Sequence, residues 1–329
     1  MYAKMPPMPR LLIIKTTSLG DVIHNLPVIN DIRTQHPDMA IDWVVEENFA
    51  DIPRLHPGVD NVMTVAMRRW RKQPFAAQTW REIAALKQQL QSRNYDLVLD
   101  TQGLLKSAMI SRLAKAPHHG YDRHSIREPL AACLYNNKHK VSREQHAVPR
   151  IRHLAAQALG YPMPDNLPDY GIAATADISA LQLPQNFVVG LHGSSRDSKL
   201  WPVDHWIALA AQLYTNGLAL VLPWGSQAEH ERALEIAAKS AQAIVLPRLG
   251  LNQLAAVIAA AHAAVGVDTG LMHLAVALKI PSVAIYTDTD PALTGIYPGA
   301  GSTAVNLGGR QQLPGVDEIS RCLANHQLI

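Results

Sequence analysis

With 329 residues, 48% of them apolar and 5% aromatic, the chain is long enough for two domains whose cores are built from Ala, Val, Ile and Leu, as in α/β proteins. Its two cysteines, Cys133 and Cys322, lie far apart without the spacing of a zinc or disulfide framework and fit a reducing cytoplasm. The net charge of +3 is unevenly divided: residues 1–160 hold 22 Lys and Arg against 14 Asp and Glu, and residues 161–329 hold 8 against 13, so the first half favours a polyanion.

Residues 1–10 carry several prolines and no apolar run, which argues against a signal peptide. No stretch of about 18 apolar residues follows to span a bilayer. Nucleic acid is a poor candidate polyanion, because acidic residues interrupt the basic ones and aromatic side chains for base stacking are few.

Leu11–Ile14 reads as a central parallel strand, Lys15–Asp21 as a loop, and Val22 to Arg33 as a helix. This strand-loop-helix opening lacks G-x-G-x-x-G, so no dinucleotide cofactor is expected. Asp21, the only acid in the loop, suits a general base that takes a proton from an attacking hydroxyl, and it equally suits a cap for the helix. His24, on the helix, reads as a packed histidine.

Ile41–Val45 and Val62–Val65 are further strands, and Arg68-Arg69-Trp70-Arg71-Lys72 then places four cations in five residues. A helix over Thr79–Ser92 leads to a strand at Leu97–Asp100. The sequel, Thr101-Gln102-Gly103-Leu104-Leu105-Lys106-Ser107, is a second strand end feeding a helix. Arg123, Arg127 and, at the start of a helix after His146, Arg150 add cations at other element ends.

Prolines at 162, 164 and 168 and Gly171 break the pattern between Tyr161 and Leu183, which reads as an interdomain linker. The rhythm restarts with a strand at Phe187–Leu191 and a helix from Asp204. Leu218–Leu222 precedes a helix from Gln227, and Ala243–Leu246 one near Asn252. Val265–Ile285 supplies strand, turn, helix and strand. The fold class is therefore α/β, with two doubly wound Rossmann-like domains facing across a cleft and ligands at the carboxyl ends of the strands.

Asp268, Thr269 and Gly270 fall where a strand ends and a helix begins, so first-turn amides and the helix dipole favour an anion. One Asp-Thr-Gly opening a helix is not an aspartic protease, which needs two copies. The loop His192-Gly193-Ser194-Ser195-Arg196-Asp197-Ser198-Lys199 offers hydroxyls, amides and an ammonium to a diphosphate. Glu229, in the first turn of its helix, could take the hydroxyls of a ribose or stabilise the helix dipole. Asp288-Thr289-Asp290 reads as a turn with a helix cap, and no metal is expected there.

These motifs, in order, resemble the lipopolysaccharide heptosyltransferases, glycosyltransferases of the two-Rossmann GT-B architecture. The resemblance runs from about Arg10 to the C-terminus. It rests on Lys15-Thr-Thr-Ser-Leu-Gly-Asp21-Val-Ile-His, Arg68-Arg-Trp-Arg-Lys72, Asp100-Thr-Gln-Gly-Leu-Leu-Lys106-Ser, Arg127-Glu-Pro-Leu, Gln145-His-Ala-Val, Arg196-Asp-Ser-Lys199-Leu-Trp-Pro, Leu222-Pro-Trp-Gly225 and Asp268-Thr-Gly-Leu-Met-His273.

The resemblance implies transfer of L-glycero-D-manno-heptose from ADP-heptose to Kdo of Kdo2-lipid A, with inversion. Asp21 would be the catalytic base. Ser194, Ser195, Lys199, Glu229, Asp268, Thr269, Gly270 and His273 would form the donor site, on a C-terminal domain of residues 166–329. Arg68, Arg71, Lys72, Lys106, Arg127 and Arg150 would meet the acceptor's carboxylates and phosphates, on an N-terminal domain of residues 1–165.

It further implies a cytoplasmic monomer, peripheral to the inner membrane, with no cofactor, no metal and no nucleic-acid partner. Ser194 and Ser195 stand where the family pattern has threonines, and Thr287-Asp288 departs from its Gly-Pro. The residues before Pro9 are extra to the pattern. Rival readings are another acceptor within the family, a nucleotide-sugar epimerase of the same architecture and a non-catalytic nucleic-acid binder.

Overall fold

The computed structural model describes residues 8–325, so the extra N-terminal stretch falls largely outside the described residues. The chain divides into two units, residues 1–166 and residues 167–329, and residues 161–178 carry neither helix nor strand.

In the first unit, strands β1 (Arg10–Ile14), β2 (Ala40–Glu46), β3 (Asn61–Val65), β4 (Leu97–Asp100), β5 (His118–Tyr121) and β6 (Asn137–His139) form one sheet in the order β3-β2-β1-β4-β5-β6. Every pairing is parallel. Leu11, Leu12, Ile13 and Ile14 are wholly buried, as a central parallel strand covered on both faces requires, and each contributes roughly 1.5–3 kcal/mol by leaving water. The helices are α1 (Leu19–His24), α2 (Leu26–Gln35), α3 (Asp51–Arg54), α4 (Met67–Lys72), α5 (Ala77–Gln91), α6 (Leu105–Ser111) and α7 (Ala147–Leu159). Leu12, Ile14, Val44, Val65 and Val98 from the sheet pack on Trp70, Leu86, Leu90 and Ile110 from α4, α5 and α6.

The second unit repeats the scheme with β7 (Phe187–Leu191), β8 (Ala219–Leu222), β9 (Ala243–Val245), β10 (Ala263–Val267), β11 (Ser282–Tyr286) and β12 (Ala304–Gly308). The order is β12-β11-β10-β7-β8-β9, again all parallel. Helices α8 (Val203–Thr215), α9 (Gln227–Ala238), α10 (Leu251–Ala259), α11 (Gly270–Ala277) and α12 (Val316–Asn325) cover it. Trp201, Trp206, Leu209 and Leu213 fill the core over Val188, Leu220 and Val265.

Both sheets therefore reverse direction beside their first strand, between β1 and β4 in one unit and between β7 and β10 in the other. The crevice at such a switch point, outside the carboxyl ends of the strands, is where doubly wound sheets hold ligands. The α/β class and the two doubly wound sheets are as the sequence reading expects. Three strands it does not anticipate, β5, β6 and β12, lie at or next to sheet edges. Among the described residues, no helix is long and apolar enough to cross a membrane.

Candidate active site

In the first unit, the switch point is flanked by the loop after β1 and the turn after β4. Asp100, fully buried, ends β4. Its Oδ1 accepts the Gln102 and Gly103 amides at 2.8 and 3.2 Å, and its Oδ2 accepts the Ser107 and Tyr135 hydroxyls at 2.8 and 2.7 Å. Gly103 takes a left-handed φ of +70°, which a glycine adopts without strain, and α6 follows two residues later. Burial pushes the Asp100 carboxyl above its ordinary range, and these hydrogen bonds oppose the shift.

The same turn holds its neighbour. Gln102 Oε1 accepts the backbone N–H groups of Thr16 and Thr17, each at 3.0 Å, and Lys106 Nζ donates to Thr17 Oγ1 at 3.2 Å.

Asp21 emerges from that held loop, with one correction to the sequence reading. Helix α1 starts at Leu19 rather than Val22, so Asp21 lies inside the first helical turn and not in the loop. Its Oδ2 accepts both the Ser18 N–H at 2.8 Å and the Ser18 hydroxyl at 2.9 Å, so the carboxylate also serves the helix N-terminus. Oδ1 faces Lys15 Nζ at 4.0 Å, beyond hydrogen-bond length, and the side chain is 42% exposed. One oxygen is tethered; the other can take a proton.

Lys15, which sequence reasoning passes over, is 4% exposed, and its ammonium donates to the Thr101 carbonyl at 3.2 Å. Burial pulls its pKa down, with Asp21 and Asp100 opposing and Arg150 reinforcing the effect. His24 is buried and meets His146 edge-on with ring centroids 5.3 Å apart, a packed histidine as expected.

The cations of α4 are set by β2. Glu46, 1% exposed at the end of that strand, accepts the Met67 and Arg68 amides at 3.2 and 3.1 Å and so caps α4. Arg68 is exposed and lies over the Phe49 ring at 5.4 Å. Arg69, by contrast, is taken by Glu47 at 3.2 Å and Glu82 at 3.0 Å.

Arg68, Arg71, Lys106 and Thr17 come together around one cavity of about 750 Å³. Lys72 and Arg127 are exposed and do not line it. Arg150 lies 4.5 Å over the Tyr121 ring and donates to the Ser125 carbonyl.

In the second unit, Asp268 is the junction. Its Oδ2 accepts Lys199 Nζ and the Thr289 hydroxyl, each at 2.6 Å, and its carbonyl accepts the Ser194 hydroxyl at 3.0 Å. Thr269 stands at the N-cap of α11, Gly270 is the first helical residue, and His273 is buried one turn in. Ser195 is exposed.

Glu229 takes the helix-terminal role: its Oε2 accepts the Gly225 and Ser226 amides at 2.6 and 3.1 Å. Its carboxyl also packs against Gly193, where any Cβ would stand 2.7 Å from it, so the loop after β7 and the start of α9 are in close contact. Asp288-Thr289-Asp290 is a bend that precedes a turn at residues 291–294, and no helix follows for it to cap. Instead Asp290 accepts the Ala292 amide at 2.9 Å and Asp288 the Ser198 hydroxyl at 2.7 Å. Among the described residues, no three His, Cys, Asp or Glu side chains are grouped to share a metal ion.

The family model for glycosyltransferase family 9 (heptosyltransferase) matches residues 83–323. Lipopolysaccharide heptosyltransferase 1 of Escherichia coli K12 is 45% identical over 289 residues, 88% of this chain and 91% of the relative. The protein of the same name from Pseudomonas aeruginosa PAO1 is 47% identical over 304 residues, 91% of this chain and 83% of the relative. A solved structure of the E. coli heptosyltransferase WaaC with ADP superposes with a TM-score of 0.88 at 42% identity, covering 96% of this chain and 99% of that one.

Proposed function

The chain belongs to glycosyltransferase family 9, the heptosyltransferases, and from that premise we propose that it moves L-glycero-D-manno-heptose from ADP-heptose to a Kdo hydroxyl of Kdo2-lipid A in one inverting displacement. The observation that carries the reading is the Asp21 carboxylate, held through Oδ2 by Ser18 while Oδ1 stays open at the switch point of its sheet. Oδ1 takes the acceptor's proton as the bond from the anomeric carbon to ADP breaks, an acceleration of about 10²- to 10⁴-fold.

The negative charge left on the diphosphate is met by Lys199, by the Ser194 and Ser195 hydroxyls and by the first amides of α11 beside Asp268, Thr269 and Gly270. Lys199 is released from Asp268 to do so. Glu229 reaches the ribose through Oε1, and His273 supports the start of α11. Arg68, Arg71, Lys72, Lys106, Arg127 and Arg150 receive the acceptor's carboxylates and phosphates, in keeping with the excess of cations over residues 1–160. No metal enters this scheme, so a chelator leaves turnover unchanged. The enzyme acts as a monomer in the cytoplasm, peripherally on the inner membrane, where a lipid-linked acceptor resides.

The test is incubation with ADP-heptose and Kdo2-lipid A, followed by mass spectrometry of the lipid. A mass gain of one heptose is expected. An unchanged lipid with both substrates present overturns the assignment.

A further inference from the structure

The cavity beside Arg68, Arg71 and Lys106 has an interior that the sugar and phosphate groups of an acceptor do not account for. Its floor is hydrocarbon: Trp70 of α4 and Leu86 of α5 are 9% and 5% exposed, and Ile83, Ile110 and Leu113 continue the wall. Trp80 and Met109 at the opening are 62% and 61% exposed, an uncovered apolar patch of the kind that marks a binding surface.

The polar groups of the wall are already used. The Trp70 indole donates to Glu82 at 2.6 Å, the Trp80 indole to the Pro74 carbonyl at 3.0 Å, and the Thr79 hydroxyl to the Gln73 carbonyl at 2.9 Å. What enters the interior therefore finds apolar surface and no hydrogen bonds, whereas the rim presents two guanidinium groups and an ammonium.

This pairing of a dry interior with a cationic rim fits an anionic head attached to a hydrocarbon chain. The rim is also tied to the reacting end of the molecule, because Lys106 donates to Thr17, four residues before Asp21. A volume of about 750 Å³ is in the size class of small-molecule sites, about 300–1,000 Å³.

We propose that this cavity binds one acyl chain of the anionic glycolipid acceptor while Arg68, Arg71 and Lys106 hold its charged head. The inference rests on the acceptor assignment above. It adds that the lipid part of the acceptor is recognised by the protein itself.

The probes are octyl, decyl and dodecyl phosphate as monomers, with inorganic phosphate as the chain-free reference. Burial of each methylene is worth about four-fold in affinity, so decyl phosphate binds about 15-fold tighter than octyl phosphate. A bromine at the end of the decyl chain quenches tryptophan fluorescence, and Trp80→Phe loses part of that quenching. Ile83→Trp, which fills the cavity, flattens the chain-length series and narrows the difference in KM between acylated and deacylated acceptors. The wild-type series stands alone if that variant does not fold.

Equal affinities for octyl and decyl phosphate, bromine quenching that survives Ile83→Trp, or binding seen only with intact phospholipid vesicles overturns the proposal. So does concentration-dependent self-association blocked by decyl phosphate, which assigns the patch to a second copy. Turnover of a fully deacylated Kdo acceptor reads the transferase assignment separately: with turnover present and chain-length dependence absent, only the acyl site falls.

Discussion

Replacing Gln102 by leucine removes the single oxygen that accepts both the Thr16 and Thr17 amides while keeping a similar side-chain volume. Thr16 is wholly buried, so its amide loses its partner where water cannot replace it; Thr17 is partly exposed and its amide can be rehydrated. An unsatisfied buried amide costs about 1–3 kcal/mol, and the partly exposed one less, which puts the loss at about 2–3 kcal/mol. For a unit of this size, each kcal/mol lowers Tm by roughly 2–4 °C, so a fall of roughly 4–12 °C is expected.

Urea unfolding followed by tryptophan fluorescence, alongside a thermal scan, measures it. Gln102→Glu keeps an acceptor oxygen in place and recovers most of the loss. Turnover should fall by more than stability explains, because the freed loop leads directly into α1, whose first turn holds Asp21, and a displacement of about 1 Å can cost about 100-fold. A leucine variant within about 0.5 kcal/mol of wild type in urea refutes the argument, since that is the scatter of ordinary surface substitutions.

Asp21→Asn keeps a side-chain oxygen for the helix terminus, so it should fold normally yet lose about 10²- to 10⁴-fold in kcat. Its ADP-heptose affinity, read by calorimetry, stays within a few fold, and normal turnover removes Asp21 from the chemistry. Arg68→Ala and Lys106→Ala should each raise acceptor KM by about 10- to 100-fold, the worth of a charge-assisted hydrogen bond, and leave donor KM nearly unchanged. Equal effects on both substrates contradict the assignment of these cations.

His192 gives a pH signature. Burial first, and then Arg232, pushes its imidazole from 6.5 down to about 4. Between those values the unfolded chain holds the extra proton. The stability is thus complete above about pH 6.5 and lost on acidification toward pH 4, by on the order of 3 kcal/mol. His192→Gln should show a shallower fall of the urea midpoint over that window; an unaltered slope would assign the pH dependence to other groups.

The central strands could be read from the sequence because burial on both faces leaves an uninterrupted apolar run, as in Leu11–Ile14 and Phe187–Leu191. The sheet edges could not. His118-His119-Gly120-Tyr121 and Asn137-Lys138-His139 have no apolar run, and they become strands only because β4 and then β5 offer a ladder to pair with. Asp21, Lys199 and Asp268 stand out as polar residues in the segments that follow apolar strands, a local signal. Lys15, Gln102 and Thr289 gain their roles from partners 86, 86 and 21 residues away, and no local pattern announces those contacts. Lys15 carries one usable mark, a cation directly after the apolar run Leu11–Ile14, where only a buried polar network can hold it.

Two side chains about 90 residues apart in sequence, Lys199 and Thr289, converge on one carboxylate oxygen of Asp268. With Lys199 already paired to Asp268, its ammonium exerts little pull on passing anions such as chloride or orthophosphate. A guest must break a 2.6 Å ion pair before it gains the ammonium, and only a ligand that brings several phosphate oxygens to the hydroxyls and amides nearby recovers that cost. At the donor site proposed above, the contact would therefore work as a selectivity filter: it would weaken binding of every anion, and weaken it least for one that engages the whole loop together.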